Sequence, residues 1–144
     1  MITKENEILY KISIKASSNT YLIKSDSIIL IDPGHNMAFT GLLRLLKELN
    51  ISPDDINFVI STHSHGDHVG SVTRLKELNP NIKIIASELM PEYQRRRASI
   101  KLLEGAEDNF DLFKPDISVK DGDIIMAGTR VRRYFPPPAG HHFD

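Results

Sequence analysis

Apolar and polar residues alternate over residues 8–16 (ILYKISIKA), the period-two pattern of a half-buried strand. NTYLIKS (19–25) and SIILIDPG (27–34) follow after short polar breaks at 17–19 and 25–26. Together they predict a meander of antiparallel strands. SIILI is continuously apolar, which predicts burial on both faces, and DPG ends it with turn chemistry. The period then changes. In TGLLRLLKELN (40–50), Leu42, Leu45, Leu46 and Leu49 fall at helical spacing, with Arg44, Lys47 and Glu48 opposite and Asn50 as a stop. SPDDINFVIST predicts a turn and a buried strand over 56–60. GSVTRLKELNP carries Val72, Leu75 and Leu78 on one helical face, ended by Asn79 and Pro80.

Further along, NIKIIAS (81–87) reads as a short strand and PEYQRRRASIKLLEG (91–105) as a helix with Pro91 in its first turn. DISVKDGDIIMAGTRVRRYF reads as a strand, a tight turn at 121–122 and further strands. Alternating strands and helices after an antiparallel start predict a sheet covered by helices. In the tail FPPPAGHHFD, three consecutive prolines cannot continue a sheet ladder.

The candidate chemistry sits at the carboxyl end of the strand over 56–60, where layered α/β folds commonly build sites. There STHSHGDHVG holds three of the six histidines of the chain. His63, His65, Asp67 and His68 form His-x-His-x-Asp-His, and neutral imidazole and carboxylate are good ligands for zinc and similar divalent ions. In an extended segment 63, 65 and 67 share one side, and a turn at Gly66 brings His68 beside Asp67. His63 and His65 would then reach one ion, Asp67 and His68 a second. Gly66 and Gly70 let the loop fold tightly, while Thr62 and Ser64 are placed to support it by hydrogen bonds. The alternative is a solvated polar loop whose histidines cap neighbouring elements. Three His and an Asp within six residues, directly after a buried strand, favour ligands.

Composition narrows the context. With 144 residues, one domain spanning 1–144 is the default. Eighteen Lys plus Arg against 19 Asp plus Glu give no global attraction to nucleic acid or anionic membranes. The absence of cysteine excludes disulfides and thiolate ligands. The first residues contain no apolar core of signal-peptide length, and no run approaches the ~20 apolar residues of a membrane span. A cytoplasmic location without membrane association is the simplest expectation.

THSHGDH resembles the Thr-His-x-His-x-Asp-His signature of the metallo-β-lactamase fold superfamily. IILIDPG is similar to the family's strand ending in Asp-x-Gly, INFVISTHSHGDHVGS to its strand, metal loop and helix start, and VKDGDII to its later Asp-Gly-Asp turn. The resemblance implies an α/β (α+β) fold, a four-layer αββα sandwich of which this chain would supply the N-terminal half to two-thirds. It also implies a metal-dependent hydrolase using one or two Zn²⁺ per chain, with iron or manganese as alternatives. His63 and His65 match ligands of the first metal, and Asp67 and His68 ligands of the second, with Asp67 also orienting the attacking hydroxide. Asp32 matches a carboxylate that supports the metal loop; as a plain residue it would be a turn former. The chemistry implied is hydrolysis by water whose pKa a metal lowers toward ~7, at a carbonyl or phosphoryl centre.

The match departs from the family near its end. The family supplies a further histidine from a Pro-Gly-His turn. Here PPAGHH offers His141 after Gly140, with Ala139 in place of proline and His142 as the neighbouring alternative. The later bridging aspartate and last histidine have no candidates, since Asp144 is terminal. A domain incomplete at its C-terminus is therefore expected, with an exposed sheet edge or apolar face. Three explanations follow: a fragment of a longer hydrolase, a homodimer that completes the fold, or a short form with one metal and altered activity. Small-molecule esters, thioesters or lactones are the expected substrates. The diiron, flavin-linked branch commonly has Glu at the second motif position, which Ser64-His65 does not supply. A nuclease reading would use Arg95, Arg96 and Arg97, or Arg130, Arg132 and Arg133, on phosphates. Near-zero net charge disfavours it. Metal binding without turnover is the non-enzymatic reading.

Overall fold

In a computed structural model, residues 1–14, 19–62, 71–93, 95, 114–120, 123–127 and 130–133 are described, with the backbone alone for 36, 124–127 and 130–133. A seven-stranded sheet runs in sequence order through β1 (Ile2–Lys4), β2 (Leu9–Ile12), β3 (Thr20–Lys24), β4 (Ile28–Ile31), β5 (Phe58–Ser61), β6 (Lys83–Ser87) and β7 (Ile117–Val119). The first four pair antiparallel, β2 to β4 as the meander predicts and β1 as an addition to it. From β4 onward the ladders are parallel, because each link must cross back over the sheet. The link from β4 to β5 contains α1 (Phe39–Glu48) and the link from β5 to β6 contains α2 (Val72–Leu78). A separate antiparallel ladder joins β8 (Ile124–Ala127) to β9 (Arg130–Arg133).

Side-chain alternation divides the apolar residues between two clusters. Leu22, Leu30, Val59 and Ile84 join Phe39, Leu42 and Leu46 of α1 and Val72 and Leu75 of α2. Their immediate neighbours Ile23, Ile29, Ile60 and Ile85 point the other way and cluster with Val119. One-residue steps that change face confirm two-sided burial in β4 and β5, as their continuous apolar runs predict. All five residues of the second cluster are at most 7% exposed; the side chains of β8 and β9, where the exposed edge or apolar face is expected, lie outside the described residues.

Both helices stop where the sequence indicates. After α1, Asn50 takes a left-handed conformation (φ 60°), with Asn50 N–H donating to Lys47 O and Ile51 N–H to Leu46 O. This is the double bond of a Schellman ending. At the end of α2, the Asn79 side-chain amide donates to Pro53 O at 3.0 Å, tying that terminus to the approach to β5. Residues 90–93 are helical, but most of the helix expected to 105 lies outside the described residues. The turn expected at 121–122 also lies outside them; of the residues on either side, Asp123 N–H donates to Lys120 O at 3.0 Å and Lys120 N–H to the Asp123 carboxylate at 2.9 Å. β1 was not legible in the pattern. Three residues are too few to show alternation, and its pairing with β2 makes it a strand.

Candidate metal centre

β4 and β5 run parallel, so their carboxyl ends reach the same side of the sheet. The chain leaves β4 through Asp32, Pro33, Gly34 and His35, and leaves β5 through Thr62. Asp32 has φ 52°, the left-handed region that non-glycine residues enter at a cost and Asp and Asn tolerate best. Its surroundings hold it there. Its N–H donates to Ile60 O at 2.9 Å, and its carbonyl accepts the Thr20 hydroxyl at 2.8 Å. With 6% exposure, its carboxylate accepts the Thr62 backbone N–H at 2.8 Å and also the Thr62 hydroxyl. A buried carboxylate needs such donors. The strained backbone aims it at the first residue after β5, the step just before His63.

The residue after the loop is tied to the same turn. Ser71 N–H donates to Gly34 O at 3.0 Å and the Ser71 hydroxyl to His35 O at 3.1 Å. Gly34 has φ 98°, which presents its carbonyl at a bend a side chain would strain. Arg74, one turn into α2, lies 4.3 Å from the centre of the Phe39 ring at the start of α1. Thus residue 62 and residue 71, which bracket the motif, are both hydrogen-bonded to residues 32–35. The 32–35 turn is itself braced, with Met37 N–H donating to His35 Nδ1 at 3.0 Å.

Of the residues expected at the site, the structure brings together Asp32 and Thr62. His63, Ser64, His65, Gly66, Asp67, His68 and Gly70 lie outside the described residues, as do His141, His142 and Asp144. Among the described residues, no three His, Cys, Asp or Glu side chains gather as an alternative metal site. The donor set of the loop, three imidazoles and a carboxylate with no thiolate, fits zinc, iron or manganese. At the residue before the loop, the Thr62 backbone N–H is held by the Asp32 carboxylate. Sequence reasoning missed Ser71 and His35. The signal for Ser71 was its place directly before α2. His35 had none beyond its residue type.

Arg130, Arg132 and Arg133 lie in β9, of which the structure describes the backbone alone. Arg96 and Arg97 lie outside the described residues.

A mixed sheet covered by helices, with a His-rich segment between Thr62 and Ser71 at the carboxyl edge of its parallel strands, defines a layered α/β protein with a candidate metal site. The chain belongs to the metallo-β-lactamase superfamily, whose family model matches residues 15–144. It is 37% identical over 126 residues to a hydroxyacylglutathione hydrolase of Francisella tularensis subsp. novicida, covering 86% of this chain and 39% of that protein. It is 42% identical over 81 residues to a flavo-diiron protein of Clostridium acetobutylicum, covering 56% of this chain and 20% of that one. In fold it is similar to a subclass B3 metallo-β-lactamase of Bradyrhizobium japonicum, with a TM-score of 0.77 at 22% identity, covering 95% of this chain and 52% of that chain. The class B3 di-zinc enzyme from an Alaskan soil metagenome gives 0.78 at 21% identity, covering 93% and 51%. The chain therefore spans about half of these solved structures and less of the curated relatives. Among the described residues, no helix is long and apolar enough to cross a membrane.

Proposed function

We propose that this chain carries the metal-binding part of a metal-dependent hydrolase that acts on a small ester, thioester or lactone. The observation that carries this reading is the clasp between Asp32 and Thr62. It holds the start of the His-x-His-x-Asp-His loop to the turn after the neighbouring strand, at the edge where sites of layered folds form. His63, His65, Asp67 and His68 would hold the metal, with His141 as a further ligand and Zn²⁺ as the metal. Bound there, the metal would acidify water and polarise the substrate. The residues of the chain itself supply the ligands, the braced loop and, through Asp67, the orientation of the attacking group. The substrate class follows the hydroxyacylglutathione hydrolase relative. A homodimer would be one way to complete the site, and a cytoplasmic location fits this chemistry.

The flavo-diiron relative favours a second reading, in which iron occupies the same ligands. Ser64-His65 at the position where that branch commonly has Glu weighs against it.

Metal content per chain, with ester, thioester, lactone and phosphodiester hydrolysis on the same sample, tests the proposal. Bound zinc with ester or thioester turnover is expected. Bound iron without hydrolysis would favour the second reading, phosphodiester turnover alone a nuclease, and no metal would overturn the proposal. His63→Ala should lower both metal content and hydrolysis.

A further inference from the structure

We infer that Ser71 is a positioning residue for the metal loop, acting through the hydroxyl it donates to His35 O; this rests on the metal reading above. Ser71 precedes α2, the place where a serine normally accepts a hydrogen bond from a helix N–H. It makes no such bond here. Its backbone is already in the right-handed helical region (φ −91°, ψ −2°), and its hydroxyl turns away from the helix to donate to His35 O at 3.1 Å. The capping role is given up, and one hydroxyl and one N–H instead join α2 to the turn after β4.

The position explains why that exchange is useful. The eight residues between Thr62 and Ser71 contain all four ligands of the motif. At the near end, Asp32 holds Thr62 through its N–H and its hydroxyl. At the far end, Ser71 is fully buried and holds the carbonyls of Gly34 and His35. Anchoring both ends to one four-residue turn reduces the conformations the loop must give up when its ligands converge on an ion. Ser61 provides the internal contrast. It is equally buried and also adjoins the loop, but its hydroxyl has no hydrogen-bond partner among the described residues. Burial beside the loop does not by itself make a serine an anchor.

The experiment is Zn²⁺ affinity by chelator competition on the 144-residue chain, together with apo melting, for wild type, Ser71→Ala, Ser71→Gly, Ser71→Thr and Ser61→Ala. Gly starts a helix nearly as well as Ser but has no hydroxyl, so it separates anchoring from capping. Ser71→Ala and Ser71→Gly are expected to weaken Zn²⁺ binding by about 10-fold or more, the effect of losing a supporting partner. Ser71→Thr, which keeps the donor, and Ser61→Ala should bind as wild type. If Ser71→Ala does not fold, Ser71→Gly carries the same comparison. Wild-type affinity in Ser71→Gly would overturn the inference, as would a loss in Ser71→Thr equal to that in Ser71→Gly. No Zn²⁺ binding by wild type would overturn the metal reading and this inference with it. Zn²⁺ binding by wild type that Ser71→Gly matches overturns this inference alone.

Discussion

Asp32 and Asp116 sit at opposite ends of the parallel strands and perform the same operation with different chemistry. Each carboxylate accepts one backbone N–H and one side-chain donor from elements distant in sequence. Asp32, just past the carboxyl end of β4, takes both donors from Thr62, is 6% exposed and has a left-handed backbone. Asp116, just before the amino end of β7, takes the Ile84 N–H at 2.8 Å and the Lys76 ammonium at 2.9 Å, with both side chains 30% exposed. Lys76 also donates to Ile82 O, so this second clasp binds α2, β6 and β7 together. The pairing contrasts a clasp beside the candidate site with one that only fastens the fold. At the loop the donors are neutral and the backbone is strained, which fixes direction. At the far edge the side-chain partner is a charge in reach of water, a pair that contributes little by itself.

The largest effect should come from Asp32→Ala. It removes two hydrogen bonds to a charged group, each worth about 1.5–3 kcal/mol, and leaves alanine in a conformation it disfavours. Chemical denaturation should show a loss of about 3 kcal/mol or more, and Zn²⁺ affinity should fall roughly 10- to 100-fold. Asp32→Asn tolerates the backbone but keeps one acceptor oxygen, so it should fall between. Equal effects of Asp32→Ala on stability and none on metal would make the two clasps alike and end the distinction.

Asp116→Asn should cost about 1 kcal/mol and leave metal affinity untouched. Its pH dependence sharpens the contrast. Partial burial raises the Asp116 carboxyl pKa, but the Ile84 N–H and the Lys76 ammonium outweigh that and hold it below the usual carboxylate value. A depressed folded pKa means that stability is present above the ordinary value of about 3.9 and is lost as pH falls through the folded one. The stability gap between wild type and Asp116→Asn should therefore be constant at neutral pH and close in acid. A gap that widens in acid would contradict the assigned partners.

The smallest effect should be that of Ser61→Ala. Its hydroxyl is fully buried with no hydrogen-bond partner among the described residues, so its removal should be neutral or stabilise by up to about 1 kcal/mol. A loss above that in thermal melting would mean that this hydroxyl is engaged after all.

The pattern of the chain already contained most of the elements that carry the site. β2 to β6, α1 and α2 were legible because each depends on local periodicity: alternation for the antiparallel strands, unbroken apolar runs for β4 and β5, leucines at helical spacing for α1. The ligand chemistry was legible because four donors fall within six residues of one segment. What could not be read locally is what joins distant segments. Asp32 and Thr62 are 30 positions apart, Ser71 and His35 are 36, and Lys76 and Asp116 are 40. Resemblance suggested Asp32 as a support. Nothing in the pattern distinguished Ser71 from an ordinary helix-starting serine, or Asp116 from an exposed acidic residue.

By itself, then, the sequence determined most of the elements, the candidate ligand types and the strand they follow, since these depend on short-range spacing and side-chain chemistry. Only the tertiary structure decided which hydroxyl bonds to the turn after β4, which carboxylate takes the Thr62 donors and which fastens a helix. Those choices depend on hydrogen-bond direction across parallel strands, and a donor's direction exists only once the strands are paired.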